Sequence, residues 1–370
     1  LWRNLSQSVP LTCVIVIAVI LVYGIVALMN SIPLSIRDVY GYMKYSLGIS
    51  PRGDTELLPK LRRIIESQAP VRPERIIVCR ASVAQVRSIV GKWPFAVLGM
   101  SRSDLKYYLR RLGADRLVGR LPEPGKPEAI VSEPVARNLG LKIGSELLGP
   151  TIEGAFSPMP VHVVGIADTP NWVMLTSIEY HREYHLPPVD NLLVMAKDQS
   201  EQQRLDRWAL QRFRGERAQV FAFHDLQERT DESFDILYWI LDVVIVALTT
   251  LITLIMAMLI KIHLTQRMPE FGLLEALGYS RVALVRRLLA EHLSVILVGW
   301  VAGVGLGFAV LTLAHHLVMR PRAFSLDTFD LEALVATVPI PAAILMAAVL
   351  TVWLRLRKLD AIAIIERRLL

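Results

Sequence analysis

The sequence predicts a membrane α-helical protein of four transmembrane helices, with an extracytoplasmic α+β domain inserted between helices 1 and 2. Three observations carry this reading. Four charge-poor apolar runs occur, at Leu11–Met29, Ile236–Ile260, Leu293–Ala314 and Ala333–Leu354. Each approaches or exceeds the roughly 20 residues that cross a bilayer as a helix. The chain is 53% hydrophobic with a mean hydropathy of +0.42, too apolar for an ordinary soluble enzyme. Between the first two runs, residues 30–235 instead alternate short strand-like and helix-like patterns.

Residues 1–29 form an N-terminal interfacial segment and helix 1. Trp2 and Arg3 are the kind of residues that anchor at a membrane interface. Leu11–Met29 has the length of a signal peptide, but Asn30-Ser31-Ile32-Pro33 is a poor cleavage site. An uncleaved anchor is therefore expected.

Residues 30–235 form the inserted domain. A stalk continues helically from Asn30 towards Leu47. A basic amphipathic helix follows at Leu57–Gln68, then strands at Glu74–Arg80 and Phe95–Met100 and a helix at Asp104–Leu112. Pro122–Pro127 is a turn-rich loop. A strand at Ala129–Val131 leads into a helix at Glu133–Leu139. Strands at Val161–Ile166 and Leu192–Ala196, a helix at Glu201–Phe213 and a strand at Val220–Phe223 complete the domain. A less helical lobe is expected over roughly Pro127–His185. His224–Asp235 reads as a helix running straight into helix 2.

Helix 2 takes residues 236–262, and a loop follows at 263–287. Helix 3 takes 288–314 and a short outer loop 315–332. Helix 4 takes 333–354 and the tail 355–370. Asp242 is the one charge in the second apolar run, placed to reach the interface or to pair within the bundle. Gly299, Gly303 and Gly307 recur every fourth residue, a spacing that lets helices approach closely. Pro339 and Pro341 are expected to kink helix 4.

Short loops orient the chain. Lys261, Arg267, Arg281, Arg286 and Arg287 follow helix 2, and Arg355, Arg357, Lys358, Arg367 and Arg368 follow helix 4. The positive-inside rule then makes both termini and the 263–287 loop cytoplasmic, in a cell inner (cytoplasmic) membrane. The inserted domain carries 28 basic and 25 acidic residues, so the net charge of +7 is mainly positive-inside bias and does not argue for nucleic acid. Cys13 lies within helix 1 and Cys79 in the inserted domain, so they cannot pair.

The 263–287 loop holds the most informative stretch, Arg267–Arg287. Pro269 suits the first turn of a helix and Gly278 the position just past its end. Phe271, Leu274 and Leu277 give this short helix an apolar stripe. Ser280 is placed to cap a second helix that runs on into helix 3. The stripe needs a cover: lipid, the chain's own helices or a soluble partner.

Enzymatic motifs fail on inspection. Gly119–Lys126 looks at first like a phosphate loop, but the glycine spacing is one residue too long and Pro127 stands where Ser or Thr must ligand magnesium. His181 and His185 stand at i, i+4 without the acid of a zinc helix, and read as a surface pair. His315-His316 reads as interfacial. No catalytic residues, cofactor-binding residues or metal ligands are assigned in this chain.

The pattern of one span, a large domain and three spans resembles the permease subunits of the FtsX/MacB-like (type VII) ABC transporters. Three stretches carry the resemblance. Glu270-Phe-Gly-Leu-Leu-Glu-Ala-Leu-Gly-Tyr-Ser-Arg281 is similar to that class's loop after the second span, E-x-G-x-L-x-A-x-G-x-S. Ala129–Gly144 with Val161–Ile166 is similar to its external domain, and Leu359–Ile364 to its tail. The resemblance implies that Glu270, Phe271, Leu274, Leu277, Gly278 and Arg281 meet a cytoplasmic ABC ATPase. ATP and Mg would be bound by that separate subunit. It implies a second permease copy, as homodimer or paralogous heterodimer, with membrane lipids and a periplasmic adaptor as further partners. ATPase closure would move the external domain, for export or extrusion of a lipophilic or peptide substrate. The alternative is a non-transporting transmission subunit that regulates a cell-envelope partner such as a cell-wall hydrolase.

Overall fold

The computed structural model describes residues 5–89, 91–184 and 189–356. The chain divides into two compact units. One comprises Leu1–Asn30, Asp235–His315 and Asp327–Leu370. The other comprises Ser31–Phe234 and His316–Leu326.

The first helix, α1 (Leu5–Val39), outruns its apolar stretch because nothing between Asn30 and Ser35 stops it except Pro33, and one proline removes only one ladder bond. A 3₁₀ turn follows at Gly41–Tyr45. The mixed α+β unit then runs β1 (Leu47–Ser50), α2 (Leu57–Gln68), β2 (Arg75–Ser88), β3 (Gly91–Met100), α3 (Arg102–Arg111) and β4 (Arg116–Gly119). It continues with β5 (Glu128–Ser132), α4 (Glu133–Leu139), β6 (Glu146–Leu148), β7 (Val161–Asp168), β8 (Met174–Ser177) and α5 (Ile178–Glu183). It closes with β9 (Asn191–Met195), α6 (Gln199–Arg212) and β10 (Gln219–Phe221).

These strands form one ten-stranded sheet in the order β10-β1-β9-β2-β3-β8-β5-β7-β4, with β6 beside β7. The long strand β2 joins its two halves. Its first part, Arg75–Cys79, pairs antiparallel with β9, and Arg80–Ser88 pairs antiparallel with β3. The sequence predicts a strand ending at Arg80. It continues because Ala84 and Val86 alternate inward over the next turnless stretch.

Two apolar cores result. In one, α2 and α6 cover the β1–β9 end through Leu61, Ile65, Leu205 and Ala209, packed on Leu47, Ile49 and Leu192. In the other, Leu105 and Tyr108 of α3 join Val86, Val97, Ile130 and Val163. The second core therefore begins well before Pro127, the expected start of the less helical lobe. The β2–β3 hairpin supplies its centre. Residues His316–Leu326 also belong to this unit. Asn138 Nδ2 donates to Arg322 O at 2.9 Å, and Arg137 Nη1 to Arg320 O at 3.2 Å.

The remaining helices are α7 (Phe223–Ala276), which enters the helical unit at Asp235, and α8 (Arg281–Ala314), α9 (Leu331–Ala336) and α10 (Pro339–Leu356) within it. Among the described residues, four stretches are long and apolar enough to cross a membrane: Val9–Val39, Phe223–Met268, Val282–Arg322 and Leu331–Leu354. The chain is a membrane protein. The fourth stretch corrects an expectation. Pro339 and Pro341 do not kink one helix; α9 ends at Ala336 and α10 starts at Pro339. A proline in the first helical turn lacks an N–H where none is needed. Thr337 fills the break, donating to Leu334 O at 2.7 Å and accepting from Trp300 Nε1 at 3.0 Å.

Candidate functional site

The α7–α8 connection is built almost wholly from local signals. Gly278 adopts φ +95°, and the Tyr279 N–H reaches back to Leu274 O at 3.1 Å. That is the six-to-one bond of a glycine-terminated helix. Two residues on, Ser280 Oγ accepts from Ala283 N at 3.3 Å and starts α8. One expectation is corrected. Pro269 does not open a separate short helix; α7 runs through it to Ala276. The proline removes one bond to the Thr265 carbonyl, and the ladder on either side continues without it.

An ion pair ties the two helices beside this turn. Arg267 Nη1 donates to Glu291 Oε2 at 2.8 Å, and Arg267 Nε lies 3.3 Å from Glu270 Oε2. One turn away, the rings of His263 and His292 are 6.1 Å apart, with His292 Nδ1 2.8 Å from Leu288 O.

The apolar residues of the connection divide between two faces. Leu274 is partly buried and packs against the inward cluster to which Ile260 and Leu264 of α7, Leu284 and Leu288 of α8, and Ala348 and Val352 of α10 belong. Leu273 and Leu277, one turn apart on the next row, are 66% and 69% exposed; Val282 is 78% exposed and Tyr279 is also uncovered. Glu270 is exposed. The side chains of Phe271 and Arg281 lie outside the described ones. Leu273, Tyr279 and Val282 were not singled out by the three-residue stripe. The i, i+4 row Leu273–Leu277 was the signal available for them.

The glycine row on α8 faces α1. A Cβ on Gly299 would stand 3.0 Å from Ile15, one on Gly303 2.7 Å from Val19, and one on Gly307 2.9 Å from Tyr23. The two rows have the same four-residue spacing and interlock. At Gly305 there is nothing within 4 Å. The same unit contains a Tyr23 hydroxyl bond to Thr328 O at 2.9 Å and an Asn30–Asp330 bond at 2.6 Å.

The other residues singled out in the sequence fall elsewhere. Asp242 is exposed. His181 is not on the surface as expected; it is 1% exposed, because α5 follows β8 directly and Gly99 leaves room for the ring. Its Nδ1 lies 3.0 Å from Thr176 Oγ1 and its Nε2 3.1 Å from Ser82 Oγ. Burial holds its pKa below the usual imidazole value, and Arg80 adds to this. His185 lies outside the described residues, as does the tail from 357 onward. In the Gly119–Lys126 loop, Lys126 pairs with Glu123, and Arg120 with Glu128 at 2.5 Å. Cys13 and Cys79 are both free.

Comparison with known proteins gives one family match. Residues 243–359 match the family described as FtsX-like permease C-terminal. That stretch contains most of α7, the connection, α8, α9 and α10. No curated protein matches the chain. Among solved structures, the periplasmic region of MacB from Actinobacillus actinomycetemcomitans is similar at 8% identity, over 50% of this chain and 92% of that one, with a TM-score of 0.29. The extracellular domain of the ABC-type transporter YknZ from Gram-positive bacteria is similar at 12% identity, over 48% and 98%, with a TM-score of 0.26.

Proposed function

We propose that this chain is the permease subunit of an ABC transporter, and that a separate cytoplasmic ATPase drives it through the α7–α8 connection. The observation that carries the proposal is the exposed apolar row Leu273, Leu277 and Val282 at a capped turn inside the stretch that matches the permease family. An apolar row with charged neighbours calls for a protein partner. Glu270, Leu277 and Gly278 belong to the contact surface in this reading, with Phe271 and Arg281 flanking it. Leu274 anchors the turn to the bundle.

The mechanism follows from how the turn is held. Arg267–Glu291 and the Leu274 cluster make the end of α7 and the start of α8 move as one piece. An ATPase that binds this piece differently with and without ATP shifts the helices between two arrangements. A second permease copy binds the second ATPase. Both termini and the connection are cytoplasmic in this reading, and the sheet unit is on the far side of an inner membrane. The transported class in this reading is a lipophilic or peptide substrate.

Affinity capture of the full chain from its native membrane tests the proposal. An ABC ATPase should come with it, and the complex should hydrolyse ATP. A chain that purifies intact from that membrane, with neither ATPase nor ATP turnover, overturns it.

A further inference from the structure

Asn138 is a buried polar side chain with more partners than its own helix needs. It lies in the last turn of α4 and is 1% exposed. Its amide makes three bonds, all to backbone. Oδ1 accepts from Arg87 N at 2.8 Å, and Nδ2 donates to Arg87 O at 3.0 Å and to Arg322 O at 2.9 Å. β9 pairs with β2 only as far as Cys79, so its ladder does not reach Arg87. The Asn138 amide takes the place of a neighbouring strand's peptide group there. The same side chain thus closes the turn end of the β2–β3 hairpin and holds the chain at Arg322. Removing it would leave buried backbone groups unpaired, which makes such a bridge firm.

The loop around Arg322 is held from other directions too. Ser35 Oγ of α1 donates to Ser325 O at 3.3 Å, and the Ser325 hydroxyl donates to the Asp38 carboxylate. Ala323 packs against the second core and adopts φ +56°. A residue with a Cβ keeps that left-handed conformation only where its surroundings impose it. Between α8 and these anchors there is no coil. α8 ends at Ala314, a π-turn takes His315–Met319 and a 3₁₀ turn takes Arg320–Arg322. A displacement at the end of α8 therefore reaches Arg322 through consecutive helical turns.

We propose that Asn138 is a positioning residue for transmission: it latches the loop His316–Leu326 to the β2–β3 hairpin, so that α8 drives the sheet unit through this loop while α7 drives it through its own first turns. Residues Phe223–Phe234 of α7 belong to the sheet unit. In the permease reading the end of α7 and the start of α8 move as one piece. Both helices of that piece then reach the sheet unit, one directly and one through the latch. An asparagine that only finished the hairpin would need the Arg87 pair alone. The third bond, to Arg322 O, is the one that a link between helix and hairpin requires. The drive rests on the permease reading; the latch does not.

The test is hydrogen exchange read by mass spectrometry, on two samples. In the first, the full chain sits in phosphatidylcholine nanodiscs without nucleotide or partner. Asn138→Ala, or Asn138→Ser if that variant does not fold, should speed exchange at Arg87, Ala323 and Phe324 at least ten-fold and leave β9 and α6 unchanged. Exchange that stays at its wild-type rate at all three overturns the latch. In the second, the full chain is captured with its ATPase and given a non-hydrolysable ATP analogue, which should change exchange in the β2–β3 hairpin. Inserting Gly-Ser-Gly-Ser between Leu317 and Val318 leaves Asn138 and its bonds in place and puts slack between α8 and the latch. It should cut the nucleotide-dependent change in the hairpin at least five-fold, with the ATPase still bound and the change at Phe223–Phe234 retained. A hairpin response of full size in the insertion chain overturns the drive through the loop. A chain that brings no ATPase with it speaks against the permease reading, and the first sample still decides the latch, so the two failures are distinguishable.

Discussion

Arg267 on α7 holds Glu291 on α8 at 2.8 Å, and the two side chains are only 19% and 28% exposed. A pair this enclosed loses more when one partner is removed than when both are, because the survivor is left without its counter-charge. Glu291→Gln alone should therefore destabilise the helical unit by about 1–3 kcal/mol, and adding Arg267→Gln should recover part of that loss. Thermal unfolding of the single and double variants in detergent gives the coupling directly. Strict additivity would show that the pair does not tie the two helices.

Gly303 should be the least replaceable glycine of its row. A methyl there meets Val19 Cβ at 2.7 Å and the Val16 carbonyl at 3.2 Å. Gly303→Ala forces the helices apart at a cost of about 1–3 kcal/mol. Gly305→Ala, with open space at its Cβ, should be neutral or slightly stabilising. Trimming the neighbour in Gly303→Ala/Val19→Ala should restore part of the loss. Equal melting temperatures for Gly303→Ala and Gly305→Ala would refute the interlocked rows.

Asp206 gives the sheet unit a pH dependence. Burial raises its pKa to about 6, although the bond from Gln202 at 2.9 Å opposes this. The folded state keeps its proton where the unfolded chain, near 3.8, has lost it. The folded state then binds more protons between those two values, so its stability falls as pH rises from about 4 to 6 and is level above. The loss is on the order of 2 kcal/mol. Asp206→Asn should abolish that slope and be the more stable form at pH 7. The check is a set of melting curves from pH 4 to 7.5; a variant that keeps the slope would remove Asp206 as its source.

The parts legible in the sequence are those set by neighbours in the chain. Gly278 and Ser280 could be read because a left-handed turn and a helix cap are local demands. Leu57–Gln68 could be read from its helical period, and Glu133–Leu139 from Pro134 in its first turn and Gly140 in a left-handed conformation at its end. The rest depends on partners far away in sequence. β1 and β8, four residues each, are too short to show a period and exist because of the strands beside them. Leu274 and Leu273 are adjacent and equally apolar. Only the positions of α8 and α10 decide that Leu274 packs inward and Leu273 does not.

The central claim is that the exposed row at the α7–α8 turn is where an ATPase grips the permease, and Leu277→Asp tests it most directly. The full chain is captured from its native membrane, and the bound ATPase and the ATP turnover of the complex are measured. The account predicts at least a ten-fold loss of both, with membrane insertion and melting unchanged. Leu274→Asp, which charges the inward face, should instead lower the melting temperature. A Leu277→Asp chain that retains its full complement of ATPase and undiminished turnover would contradict the account.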